Sequence, residues 1–124
     1  MGNEGPEQVS RRLERCLRTG DVEELRDLYE PGAVFADYDG IVEGWDAIRA
    51  VHQGFIAAGL ELNLADSIVL EAGNIALVHW TWSVQHSDGS TVEGASAEVL
   101  RRQTDGSWKF IIDNSDGAAL VGLL

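Results

Sequence analysis

A chain of 124 residues, 44% of them hydrophobic, fills one globular domain spanning residues 1–124 and leaves no room for two independent cores. Nine Lys+Arg against 21 Asp+Glu give a net charge of −12, which excludes general nucleic-acid binding and argues against anionic membranes, since both need a cationic face. The lone Cys16 excludes an internal disulfide and a cysteine-rich zinc site; no apolar run nears the ~20 residues of a membrane span, the opening MGNEGPEQ lacks the features of a secretion signal, and a cytoplasmic protein is expected.

Pro6 can open a first helix, in which Val9, Leu13, Cys16 and Leu17 share a face before Thr19-Gly20 ends it. Asp21 followed by Glu24 is a capping-box start for a second helix with Val22, Leu25, Leu28 and Tyr29 as its buried stripe, stopped by Pro31-Gly32. Ala33–Ala36 reads as a short strand, Asp37–Gly40 as a turn and Ile41–Glu43 as another strand. A third helix runs from about Trp45 to Ala58, with Trp45, Ile48, Phe55 and Ile56 on one face and Gly59 as terminator. Four strands follow: Leu62–Leu70, Ile75–His86, Thr91–Gln103 and Ser107–Ser115, separated by Gly73-Asn74, Asp88-Gly89 and Asp105-Gly106. The order α-α-β-β-α-β-β-β-β predicts an α+β fold, a curved antiparallel sheet with three helices on one face.

If both Asp-Gly pairs form two-residue hairpins, His79 lies opposite Glu98 and Glu98 opposite Asp113, one row across three strands. Thr81, Ser96 and Ser115 form the next row; Leu77, Leu100 and Ile111 flank the other side. The opposite face carries Val78, Trp80, Trp82, Val84, Ala97, Val99, Trp108, Phe110 and Ile112, more apolar surface than a soluble monomer exposes, and reads as a homodimer interface anchored by Trp80, Trp82, Trp108 and Phe110. Periodicity and composition alone favour the reverse, with the tryptophans under the helices and the charged row in water. Two opposed carboxylates are costly on an exposed sheet, however, and useful where a proton is shared.

The order of elements resembles the nuclear transport factor 2-like superfamily, in its SnoaL-like polyketide cyclase and ketosteroid isomerase-like branch. The stretches Thr19-Gly20-Asp21-Val22-Glu23, Ala33-Val34-Phe35-Ala36-Asp37, Val42-Glu43-Gly44-Trp45-Asp46-Ala47-Ile48-Arg49 and Asp105-Gly106-Ser107-Trp108-Lys109-Phe110 carry the resemblance. It implies a cone-shaped fold with a cavity between sheet and helices, and a dimer through the outer sheet face. It also implies a base at Asp37, after the first strand, and a second acid at Glu98. Leu13 stands where the isomerases have a tyrosine, and Ser96 where the superfamily's epoxide hydrolases have an arginine, so neither activity is implied in full.

With the row in a closed pocket, Glu98 and Asp113 form an acid pair that shares a proton, and His79 and Asp37 are candidate bases. Thr81, Ser96, Ser115, His52, Tyr38 and Trp45 are candidate pocket-lining residues, and His86 is expected in solvent at the hairpin tip. A Ser-His-carboxylate set is conceivable but needs an Oγ within hydrogen-bond reach and an oxyanion hole, a His79, Glu98, Asp113 metal site lacks a second histidine, and without a Gly-rich nucleotide fingerprint or P-loop no cofactor or metal is expected. The expected function is cofactor-independent acid–base chemistry on a small carbonyl compound, of isomerase, cyclase or dehydratase type. The alternative is a non-catalytic ligand-binding or dimerisation module.

Overall fold

Helix α1 (Pro6–Thr19) starts where Pro6 occupies the first turn and ends at Gly20, whose φ of 77° is left-handed. It buries Val9, Leu13, Cys16 and Leu17, as their spacing predicts, and also Ser10. Helix α2 (Val22–Arg26) is capped by the Asp21 side chain, which accepts from the Glu24 N–H at 3.1 Å. It is only five residues long. Tyr29, placed by periodicity in this helix, instead opens strand β1 (Tyr29–Asp37). Pro31-Gly32 falls inside β1, at an irregularity between Tyr29 and Val34 where the missing proline N–H breaks no ladder. Strand β2 (Gly40–Glu43), helix α3 (Trp45–Ala57), strands β3 (Glu61–Ala72), β4 (Ile75–Gln85), β5 (Thr91–Arg102) and β6 (Trp108–Asn114), and a 3-10 turn (Gly117–Leu123) complete the computed structural model, which describes residues 4–123.

The six strands form one sheet in the order β2-β1-β6-β5-β4-β3. Contrary to the all-antiparallel expectation, the sheet is mixed: β1 pairs parallel with β6, and every other pair is antiparallel. The class remains α+β with three helices, and Ile48, Leu25, Leu28, Val78, Leu100 and Phe110 are fully buried in the core.

Both Asp-Gly hairpins have three-residue loops. The His86 N–H donates to Ser90 O at 2.8 Å and the Gln103 N–H to Ser107 O at 2.7 Å. A two-residue Asp-Gly turn needs positive φ at both residues. Here only Gly89 (φ 89°) and Gly106 (φ 86°) are left-handed, while each aspartate accepts from the serine two residues on. The β4–β5 register therefore moves by one: Val78 faces Glu98, and His79 faces Ala97. The second hairpin starts with the same offset, but Ile111 is an extra residue in β6. Beyond it Val99 faces Ile112 and Glu98 faces Asp113, as expected.

These two departures redistribute the faces. Trp80, Trp108 and Phe110 are buried under the helices, on the same face as Glu98 and Asp113, so they cannot anchor a dimer; Trp82 lies there too, half-buried. His79 and Thr81 are exposed on the outer face. That face carries its own apolar row, Leu70, Leu77, Val99, Ile112 and Val34, across five strands.

Candidate functional site

A cavity of about 310 Å³ lies between α1, α3 and the inner face of the sheet. Its floor is polar. Glu98 on β5 and Asp113 on β6 face each other across the strand pair, each 3% exposed. Ser10 of α1 donates to Glu98 Oε1 at 2.7 Å, and Ser96, on the same strand face, donates to Glu98 Oε2 at 2.8 Å. Tyr29 Oη donates to Asp113 Oδ2 at 2.6 Å and lies 2.9 Å from His52 Nε2 of α3. Burial, reinforced by the charge of Asp113, pushes Glu98 up to about 8 against the hydrogen bonds of Ser10 and Ser96. Burial raises Asp113 to about 6, with the Tyr29 hydrogen bond pulling the other way. Burial lowers His52 to about 4 and holds the Tyr29 phenol well above its ordinary range. Near neutral pH the pair thus carries one proton, on Glu98, beside an ionised Asp113 and a neutral imidazole.

The walls are apolar: Leu13, Leu17, Phe35, Phe55, Leu62 and Leu64 contribute, with Trp82 held by its Nε1–H donating to Ser115 O at 2.7 Å. Asp37, Tyr38, Asp39 and Asp116 also line the cavity, and among the described residues no Lys or Arg does. Asp37 is half-buried and accepts from the Asp39 N–H at 2.8 Å; Tyr38 is 56% exposed. Asp37 follows Phe35 on the same strand face, and Phe35 pairs with Asp113, so Asp37 stands one alternate step, roughly 6.6 Å, from that row. A second hollow, between α3 and the β1–β2 hairpin, shares Phe35, Asp37, Asp39, Val51, Phe55 and Leu60 with the first.

The structure brings Asp37, Glu98, Asp113, His52, Ser96, Ser115 and Tyr38 to one cavity. It separates His79, Thr81 and Trp45 from it. His79 lies on the outer face, with Nδ1 3.3 Å from the Ser96 backbone oxygen, because the first hairpin gained a loop residue. Neither a His79, Glu98, Asp113 metal set nor a serine triad on His79 can therefore assemble. Thr81 Oγ1 accepts from the Asp66 N–H at 3.0 Å on that same face. Trp45 packs against the core, its ring 6.0 Å from that of Tyr29. His86, expected in solvent, is half-buried and lines the cavity.

Sequence reasoning missed two floor residues. Ser10 is one turn before Leu13 and two before Leu17, and that spacing alone marks a polar residue on the buried face. Tyr29 continues the apolar stripe of α2 in sequence, and only the end of that helix at Arg26 frees it for the floor.

The fold is α+β and nuclear transport factor 2-like, with the acid pair beneath a walled cavity. Residues 9–111 match the SnoaL-like domain family, and the chain belongs to it. No curated protein matches in sequence. Among solved structures, a cystatin-like-fold protein of unknown function from Nostoc punctiforme is 16% identical with a TM-score of 0.79, covering 95% of this chain and 92% of its own. A candidate ketosteroid isomerase from Shewanella frigidimarina is 14% identical with a TM-score of 0.76, covering 91% and 95%. A candidate dehydratase of the nuclear transport factor 2-like family from Streptomyces avermitilis is 18% identical with a TM-score of 0.76, covering 90% and 93%. At these identities the likeness carries the fold. Among the described residues, no helix is long and apolar enough to cross a membrane.

Proposed function

We propose that the chain is a small-molecule enzyme of isomerase, cyclase or dehydratase type that moves protons next to a carbonyl group. The observation that carries this reading is the Glu98–Asp113 pair, buried at the floor of an apolar cavity that no Lys or Arg among the described residues lines. In a soluble protein two such acids cost stability, and a proton held on one of them is useful to chemistry. Glu98 holds its proton into the neutral range and donates a hydrogen bond to the carbonyl oxygen as negative charge develops there. Asp37, a step away along β1, is the base that takes the adjacent C–H proton and returns it elsewhere on the carbon skeleton or passes it to a leaving hydroxyl. Asp113 stays ionised and raises the proton affinity of Glu98 by its charge. The walls suit a compact, mainly apolar molecule. The candidate isomerase and dehydratase among the similar structures are of the same reaction types.

Exchange of the protons next to the carbonyl of a bicyclic ketone of decalone size, followed by NMR in deuterated water, tests the reading without knowledge of the natural substrate. Glu98→Gln and Asp37→Asn should each slow exchange by about 10²-fold. A rate equal to the buffer blank, or one untouched by both substitutions, would refute it. Ketone binding without exchange would leave the ligand-binding alternative.

We further propose a cytoplasmic homodimer formed through the outer sheet face. The apolar row supports this, with Leu70 57% and Ile112 43% exposed and Ile68 beside it at 62%. Particle mass in solution checks the oligomeric state.

A further inference from the structure

The floor contains a hydrogen-bond group that the acid–base scheme leaves idle. Tyr29 Oη carries one proton, and its 2.6 Å separation from Asp113 Oδ2 is that of a hydroxyl donating to a carboxylate. The second contact of the same oxygen, 2.9 Å from His52 Nε2, must then run the other way, with the Nε2–H donating to Tyr29. A neutral imidazole has one N–H, so Nδ1 is left with a lone pair. Burial keeps the ring neutral, which agrees with that assignment.

The ring is also fixed in place. His52 is 4% exposed on α3, and its ring stands edge-on to Phe35 at 5.7 Å and tilted against Tyr29 at 5.7 Å. Its Nδ1 has no protein partner among the described residues. The sole fully enclosed side-chain polar atom without a partner among them is Trp80 Nε1. Nδ1 therefore reaches open space, and the open space that His52 lines is the cavity.

We propose that His52 is a ligand-contacting, specificity-determining residue whose Nδ1 presents a fixed hydrogen-bond acceptor inside the apolar cavity, so that the site takes an apolar molecule bearing a hydroxyl or N–H donor besides its carbonyl oxygen. The inference rests on the preceding reading only in taking this cavity as the ligand site. The two polar groups of the ligand meet complementary partners: the carbonyl oxygen meets protonated Glu98, and the donor meets His52. An ether or a hydrocarbon at the same place strands the imidazole lone pair without water, and that penalty is the source of discrimination.

Two measurements on the intact chain test the assignment. Ring-nitrogen NMR of His52 in the free wild-type protein near neutral pH should show a neutral ring protonated at Nε2; a ring protonated at Nδ1, or an imidazolium, overturns it. The second measurement compares naphthol with methoxynaphthalene, probes of one skeleton with and without the donor, by quenching of tryptophan fluorescence, since Trp82 lines the cavity. Naphthol should bind about tenfold more tightly, the worth of one good hydrogen bond. In His52→Phe that preference should shrink to within about twofold while methoxynaphthalene still binds. A preference that survives His52→Phe means a carboxylate takes the donor and overturns the proposal. The tautomer measurement needs no variant and decides the matter even where His52→Phe fails to fold. Binding of neither probe overturns the proposal together with the cavity as a ligand site, whereas absent ketone exchange overturns the catalytic reading alone.

Discussion

Glu98→Gln should slow the chemistry by about 10²-fold and stabilise the fold, and the stabilisation should grow with pH. The amide keeps the shape of the carboxyl and can satisfy both Ser10 and Ser96, whose hydroxyls switch between donating and accepting. In the unfolded chain Glu98 titrates at its ordinary 4.5, and in the fold at about 8, so the folded protein holds the proton more tightly. Ionisation then opposes folding. Stability is intact below the unfolded value and drains away as pH rises toward the folded one. The full climb corresponds to about 5 kcal/mol, of which about 3 kcal/mol falls between about pH 6 and about pH 9. Urea unfolding of wild type and variant across that range should give curves that diverge by this amount, with the variant the more stable on the alkaline side. His52 acts in the opposite sense: held neutral in the fold, with its value lowered from 6.5 to about 4, it costs stability as pH falls through that window in both proteins. Asp113, raised from 3.8 to about 6, loses stability as pH climbs between those values in both proteins and largely offsets the His52 limb, so the Glu98→Gln variant should be nearly flat where wild type declines, and the difference between the two curves isolates Glu98. Parallel curves for the two proteins would show that Glu98 ionises normally in the fold and would refute the account of the floor.

Two further outcomes bear on the walls and the outer face. A Cβ at Gly94 would overlap the Trp82 ring, whose Nε1–H is tied to Ser115 O, so Gly94→Ala should cost about 1–3 kcal/mol and shift the tryptophan emission, as read by thermal unfolding and fluorescence; an unchanged spectrum and melting temperature would mean the ring is not held there. Leu70→Lys with Ile112→Lys places charge in the exposed apolar row and should convert a dimer to a folded monomer by gel filtration and scattering, whereas a dimer that persists would place the interface elsewhere.

Much of the fold was legible because its signals are local. The Pro6 start, the Gly20 stop, the Asp21 cap and the apolar period of α1 each concern a few neighbouring residues and are met in the structure. The end of α2 was not, since the stripe Val22, Leu25, Leu28 and Tyr29 continues past the last helical residue. Pairing of Tyr29 with Phe110, more than eighty residues away, overrides the stripe and moves a phenol from the helix to the cavity floor. The site turned on hairpin arithmetic in the same way. One additional loop residue carried His79 to the outer face, and in the second hairpin the same addition was cancelled by the bulge at Ile111. The dipeptide rule expects positive φ at both residues, but only the glycines adopt it, and the negative φ of each aspartate goes with the longer loop.

The bulge at Ile111 also explains how one sheet face holds both a tryptophan core and an acid pair, which simple alternation treats as rivals. From the hairpin to Phe110, β6 supplies apolar side chains to the inner face: Trp108 and Phe110, with Leu100 opposite Phe110. After one unpaired residue its alternation resets, and the next inward residue is Asp113 rather than Ile112. Without the bulge Ile112 would turn inward and Asp113 would move to the outer face opposite Ala97, and the floor would lose the partner of Tyr29 and the charge that helps keep a proton on Glu98. A one-residue irregularity in a seven-residue strand thus separates a structural half of the sheet from a reactive half, and shortening β6 by that residue would be expected to cost the site before it costs the core.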